Sequence, residues 1–396
     1  MRISKIEAFA LVSPMLEEHT CFTSYGRKST VASLIARVST DEGIVGIGET
    51  VCNPFVERSL PTLGMALALV KDCLGPALLG ENPFDVRRLH WKMDQAMSGN
   101  LNVKAAFDVA LYDIMGRKLG TPVYNLLGGN CYGRTEFHYD IDFPGHFGFL
   151  DTPKAMAELA ERCVRKLGYK HYSIKLGMPG EPIERDLERI FMVLEAIGPD
   201  VPLHMDPNTE WGLEKTVKVF TKIRGRNISN VHQPVPAWDI DGLATLTRMF
   251  PEIPVYADES VFEGYLAELL HRRAVPAIAF KPLQSGGYYP SMKIIGACEH
   301  AGVGVYMNGA ASTNVAVTAS MHLSLALGPL RAWNLAEEDD RPGYSAVHLK
   351  LKKPHLVVKG GCRTEGRTLT VSAGPGLGIE EINEDLLKKA QSVTLS

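Results

Sequence analysis

"VPLHMDPNTEWGLEKTVKVFTKIRGRNISNVHQPVP", residues 201–236, carries the pattern that decides the fold. Its first residues form a short apolar run ending on Asp206. "GLEKTVKVFTKIR" then has helical periodicity, and "VHQPV" reads as the end of a second strand that opens into a loop at His232. The same unit repeats in both directions. Upstream lie the strand "TEFHYDI", the helix "TPKAMAELAERCVRKLGY" with Thr152 as N-cap and Gly168 as C-cap, the strand "HYSIKLG" and the helix "PIERDLERIFMVLEAIG". Downstream, helix "IDGLATLTRMF" leads to strand "IPVYADES", "FEGYLAELLHRRA" to "AIAFKP", and "SMKIIGACEHAG" to "VGVYMNG", before a last helix, "STNVAVTASMHLSLAL". Strict alternation with a unit of about 25 residues predicts a parallel sheet, and this many units predict a closed barrel. The competitor is an open doubly wound sheet. No GxGxxG follows a first strand and no Walker loop is present, which weakens its nucleotide-binding version.

The flanks have another rhythm. "MRISKIEAFALVSP" alternates as a strand and is too mixed for a signal peptide. "STVASLIARVSTDEGIVGIGETV" predicts two strands joined at Asp41-Glu42-Gly43. Helical stretches follow, ending at Gly80 and running from Pro83 to Met97. "NVKAAFDVALYDIMGRKLG" predicts an amphipathic helix with Ala105, Val109, Leu111, Ile114 and Met115 near one face. From about Leu349 the tail returns to short strands and is expected to end in the helix "NEDLLKKA".

With 396 residues the chain has room for two domains, or for one barrel with an addition. A formal charge of −3, with no basic run, gives no reason to expect a nucleic acid partner. No run reaches the roughly 18 apolar residues that a membrane helix needs. Seven scattered cysteines without CxxC spacing suggest reduced thiols in a cytoplasmic protein.

Catalytic side chains of a βα barrel sit at the C-terminal strand ends. The polar residues there are Lys175, Asp206, His232, Asp258 and Lys281. Asp206, His232 and Asp258 are each 26 residues from the next, so each takes the same place in its own unit. A single strand-end aspartate is often only a helix N-cap, and a lone histidine is usually a core hydrogen bonder. Three in register, flanked by two lysines, fit a divalent metal site better. Lys175 and Lys281 each leave an apolar strand for the barrel mouth, from opposite sides of the three. An amine desolvated beside a cation is favoured in its neutral form, and a neutral lysine is a competent general base.

At these residues the chain resembles the enolase superfamily, in its muconate lactonizing enzyme-like and mandelate racemase-like branch. The resemblance runs nearly end to end, through "GIVGIGET", "AAFDVALYDIMGRKLGTPVYNLLGG", "SIKLG", "DPN", "QP", "ADES", "FKP" and "GPGLGIE". It implies an α/β fold, a (β/α)7β TIM-like barrel with an α+β capping domain formed by the N-terminal region and the C-terminal tail. The expected divisions are residues 1–130, 131–348 and 349–396. It implies one divalent metal ion, held by Asp206, His232 and Asp258, and two opposed acid/base lysines, Lys175 and Lys281. Asn208 matches a polar residue near the site, and Glu259 a carboxylate that follows the third ligand, in the second shell. Two positions depart from the family. Ser173 stands where a lysine usually tunes its neighbour, here Lys175. His232 stands where a glutamate is usual. Magnesium is the expected ion, and the imidazole admits manganese or another transition metal.

The chemistry implied is abstraction of the proton α to a carboxylate, with electrostatic stabilisation of the enediolate. A racemase or epimerase of a small amino-acid-like or cyclic carboxylic acid is the leading expectation. A dehydratase or cycloisomerase on the same scaffold is the alternative, and a metal-free binding protein is the competing class. Ser173 and Asn208 at the early strand ends, Tyr25, Phe22 and Asn53 from the cap, and Asn308, Trp333, Asn334 and Glu337 at the late strand ends are expected near the substrate. "VYMNGAAS" offers no histidine at Asn308, which argues against the family's acid-sugar dehydratases, and His322 is expected to pack in its helix. The expected partner is a small-molecule carboxylate, with no nucleic acid or membrane and with assembly into a dimer or octamer.

Overall fold

The computed structural model describes the whole chain except residues 18–19, 25, 55–59, 139–151, 310–311, 328–350 and 366–367. Tyr25, Trp333, Asn334 and Glu337 lie outside the described residues, as does the side chain of Phe22. Six parallel strands form one sheet in chain order: Tyr172–Lys175, Leu203–Asp206, Ile228–His232, Val255–Ala257, Ala277–Phe280 and Gly304–Met307. Tyr172, Ile174, Leu203, Met205, Val231, Val255, Ile278, Phe280, Val305 and Met307 belong to the main apolar core together with residues of the helices outside. Strand alternation then turns Ser173 and Lys175, His204 and Asp206, Asn230 and His232 to the other face, the barrel interior. The architecture is the expected α/β barrel with an α+β cap.

The cap sheet has the order Gln391–Leu395, Ile3–Pro14, Thr30–Thr40, Val45–Val51, all antiparallel. The turn at Asp41-Glu42-Gly43 joins two of these strands, with Gly43 at φ 78°, where a glycine carries no Cβ penalty. Two expectations change here. The chain does not end in a helix. After Glu384–Lys388 it forms the strand Gln391–Leu395, which pairs with the first strand. "QSVTLS" has too little apolar content to announce a strand, and the pairing depends on a partner nearly the whole chain away. The helix Leu101–Leu119 is also not amphipathic. Asn102, Lys104, Asp108 and Asp113 are buried along with its apolar residues. It lies between the cap sheet and the barrel, so both faces need partners. Its backbone approaches Val45–Val51 so closely that a Cβ at Gly48 would stand 1.9 Å from Ala106 O. The strand Glu136–His138 pairs antiparallel with the tail strand Thr368–Val371.

Three fully buried carboxylates join cap, barrel and tail. Glu49 accepts from Thr313 N at 2.8 Å and from Ala316 N at 2.9 Å, at the start of helix Asn314–Leu327. Asp108 accepts from Tyr288 N and Tyr289 N, at the start of helix Tyr288–Ala301. Asp113 accepts from Ile47 N at 3.0 Å and Leu377 N at 2.8 Å. Burial raises the proton affinity of all three, and the donors around them oppose it. A carboxylate at a helix N-terminus also faces that helix's free N–H groups and positive dipole end. Among the described residues no helix is long and apolar enough to cross a membrane.

Candidate active site

The five residues marked by spacing come together at the C-terminal strand ends. Lys175 donates to Asp206 Oδ2 and, at 2.9 Å, to Asn208 Oδ1. Asp206 Oδ1 also takes the backbone N–H of Asn208 at 2.9 Å, and the side chain of Asn208 reaches Glu259 Oε1 at 3.4 Å. His232 lies between the aspartates, with Nδ1 3.4 Å from Asp206 Oδ1 and Nε2 3.3 Å from Asp258 Oδ2. Lys281 donates to Asp258 Oδ2 at 2.9 Å. The lysine-bearing strands are four positions apart in the sheet, with the strands of Asp206, His232 and Asp258 between them. Along the six described strands the two lysines thus flank the row from either side.

At Asp206 and His232 burial works against charge, and the partners decide the outcome. Burial would raise the Asp206 carboxyl, but the charges of Lys175 and His232 outweigh it and hold it well below the ordinary value. Burial would lower the His232 imidazole, but Asp206 and Asp258 outweigh it and raise its proton affinity. Burial and the neighbouring Asp258 push Glu259 up to about 7. Burial and His232 push His204, which stands two residues below Asp206, down to about 3.

The donor set fits a divalent cation. His232, Asp258 and Glu259 are buried, and their ligand atoms lie within 4.8 Å of one another. Among the described residues, Asp258 Oδ1 and His232 Nδ1 are buried without a hydrogen-bond partner. Asn308 sharpens the fit. Its Oδ1 accepts from Gly309 N at 2.8 Å, which turns its Nδ2 toward His232 Nε2 at 3.3 Å. If Nε2 accepts from that amide, its lone pair lies beside a carboxylate oxygen of Asp258. A cation between ring and carboxylate would relieve that opposition. Glu259, beside Asp258 in the chain, takes part in the same cluster and also lies 3.4 Å from Asn208 Nδ2 through its Oε1.

Sequence reasoning missed Gln233, which shapes this geometry. Its Oε1 accepts from Asp258 N at 2.9 Å and Ser260 N at 3.3 Å, and its Nε2 donates to Ser260 Oγ at 2.9 Å. Gln233 has φ 36° and Asn208 φ 43°, left-handed values that only Asn suggests from sequence. Ser173 lies in register with His204, one layer below Lys175 and Asp206. The cap hairpin Cys21–Thr23 and Gly26–Lys28 brings buried Ser24 to within 3.5 Å of Asn208 O. Asn53 is half-buried beyond the cap strand Val45–Val51.

A barrel with opposed lysines around a row of acid and imidazole groups defines a class of enzyme, and comparison with known proteins places the chain within it. The family described as enolase C-terminal domain-like matches residues 155–386, and the mandelate racemase / muconate lactonizing enzyme N-terminal domain matches residues 5–128. The chain belongs to the enolase superfamily, in that branch, and is an enzyme of it. It is 31% identical to the N-succinyl-L-Arg/Lys racemase of Bacillus cereus, over 98% of each chain. The solved structure of that relative, from strain ATCC 14579, superposes with TM-score 0.86 at 29% identity over the whole of both chains. A dipeptide epimerase from Enterococcus faecalis V583, solved with Mg and the dipeptide L-Leu-L-Tyr, superposes with TM-score 0.82 at 30% identity, over 96% of this chain and 100% of that one.

Proposed function

We propose that this protein inverts the α-carbon of an N-acylated amino acid or dipeptide, by removing the α-proton on one face and returning a proton on the other. The observation that carries this reading is the placement of Lys175 and Lys281 four strands apart, each beside its own aspartate, with the imidazole between those aspartates. In one direction Lys175 in its neutral form takes the proton, and Lys281 as an ammonium gives one to the opposite face. In the other direction the roles exchange. The reaction is a net 1,1-proton transfer, so atoms and charge balance without a further reactant. Relatives that racemise N-succinyl amino acids and epimerise dipeptides support this substrate class.

Asp206, His232 and Asp258, with Glu259 in reach, are the residues that would hold the family's divalent ion. A bound cation would supply positive charge where a substrate carboxylate gathers negative charge. An imidazole in the set removes one negative charge relative to three carboxylates, which lowers the preference for magnesium over manganese and other transition ions.

The test is α-deuterium incorporation in D2O, with N-succinyl-L- and D-amino acids and dipeptides, followed by nuclear magnetic resonance. The wild-type protein is expected to exchange both enantiomers of one substrate. Lys175→Ala and Lys281→Ala are each expected to abolish exchange of one enantiomer. Full exchange of both enantiomers in both variants would refute the two-base assignment.

A further inference from the structure

We propose that the cap positions one proton-transfer lysine and not the other, with Thr50 and Asp108 as positioning residues for Lys281; this rests on the two-lysine reading above. Just past Lys281 the chain makes a compact buried turn. Gln284 N donates to Lys281 O at 3.0 Å, and Gly287 N donates to Pro282 O at 2.9 Å. Residues 281–288 are all buried. Two cap residues grip this turn. Thr50 Oγ1 donates to Leu283 O at 3.1 Å, from the cap strand Val45–Val51. Asp108, on the cap helix Leu101–Leu119, accepts from Tyr288 N and Tyr289 N where the turn becomes a helix.

The fit at that point is tight. Gly287 has φ 95°, and a Cβ there would lie 2.4 to 2.6 Å from three atoms of Asp108. Asp108 is itself held by His90 Nε2, 2.7 Å from its Oδ2, and the His90 ring lies against Tyr289 with centroids 5.1 Å apart. The cap thus holds both ends of the seven residues that follow Lys281.

The opposite lysine is supported differently. The turn after Lys175 is held by Asp186 of the barrel helix Ile183–Ile197, which accepts from Gly177 N at 2.9 Å. Asp186 is fixed in turn by Trp211 Nε1 at 2.8 Å and Arg189 at 3.0 Å, both barrel residues. Among the described residues the cap approaches that side through Ser24, at 3.5 Å from Asn208 O, the limit of a hydrogen bond. Lys175 is therefore anchored within the barrel, and Lys281 between barrel and cap. Small errors in placing a reacting group have large effects on rate, so loosening the cap contact acts on one face of the substrate.

The test uses the full chain supplied with Mg²⁺, and N-succinyl-L-arginine and N-succinyl-D-arginine in D2O. The Lys175→Ala and Lys281→Ala variants first establish which enantiomer depends on which lysine. Thr50→Val keeps shape and removes the donated hydrogen bond. It is expected to lower exchange of the Lys281-dependent enantiomer roughly tenfold to a hundredfold, and to leave the other enantiomer unchanged. Asp108→Asn is expected to do the same and to speed backbone amide exchange across residues 282–288. A folded Thr50→Val protein that loses rate equally on both enantiomers, or on neither, overturns the assignment. A wild-type protein that exchanges neither enantiomer overturns the racemase reading on this substrate class, and the assignment with it.

Discussion

His232 occupies the middle of the row, and both ring nitrogens face carboxylates. Replacing it with glutamate gives an all-oxygen donor set, and oxygen donors suit magnesium better than imidazole does. His232→Glu is therefore expected to raise affinity for Mg²⁺ relative to Zn²⁺ or Ni²⁺, measured by competition titration. An unchanged ratio would remove His232 from the ligand set. General acid–base groups typically contribute 10²- to 10⁴-fold, so the Lys175→Ala and Lys281→Ala proteins should lose racemisation by roughly that factor. The row was legible in the sequence because a βα repeat of constant length puts equal spacing at equal height. Gln233 and Asn308 were not legible as partners. One acts through a left-handed backbone conformation, and the other through an amide turned by the N–H of Gly309.

The helices and strands show where local pattern stops being informative. Thr152 was readable as an N-cap, and its side chain accepts from Ala155 N at 3.1 Å. The helix Leu101–Leu119 was readable as a helix but not as one surrounded on both sides. Its polar residues look solvated in sequence, yet Asp108 and Asp113 serve backbone donors from distant segments. The close approach of Gly48 to that helix gives a prediction at this scale. Gly48→Ala would press a methyl group against backbone that cannot move cheaply. Overpacking of this kind costs about 1–3 kcal/mol, seen as a lower melting temperature. A melting temperature equal to wild type would mean that the helix and strand can separate without loss.

Taken as a whole, the molecule should lose stability in acid partly through His322. This residue is fully buried, accepts from Tyr124 N at 3.3 Å and stacks on the Tyr124 ring at 5.3 Å. Burial lowers its proton affinity from 6.5 to about 4. Its neutral form is thus favoured in the folded state. The contribution is complete above pH 6.5 and is lost as pH falls toward 4, because the unfolded chain takes up the proton first. The shift corresponds to roughly 3 kcal/mol over that window. His322→Asn keeps an acceptor for Tyr124 N, and its melting temperature should fall less between pH 7 and pH 5 than that of wild type. Equal falls would assign the acid sensitivity elsewhere.

The pairing of Ile3–Pro14 with Gln391–Leu395 has a consequence for how the molecule assembles. The first strand can zip onto Thr30–Thr40 early, but its other edge stays bare until a segment almost four hundred positions later arrives. Closing so large a loop is slow, and a bare strand edge is a template for foreign strands. Refolding from denaturant should therefore give yields that drop as protein concentration rises, with intermolecular β-structure in the aggregates. An added peptide of sequence QSVTL, covering that edge in trans, should recover part of the lost yield.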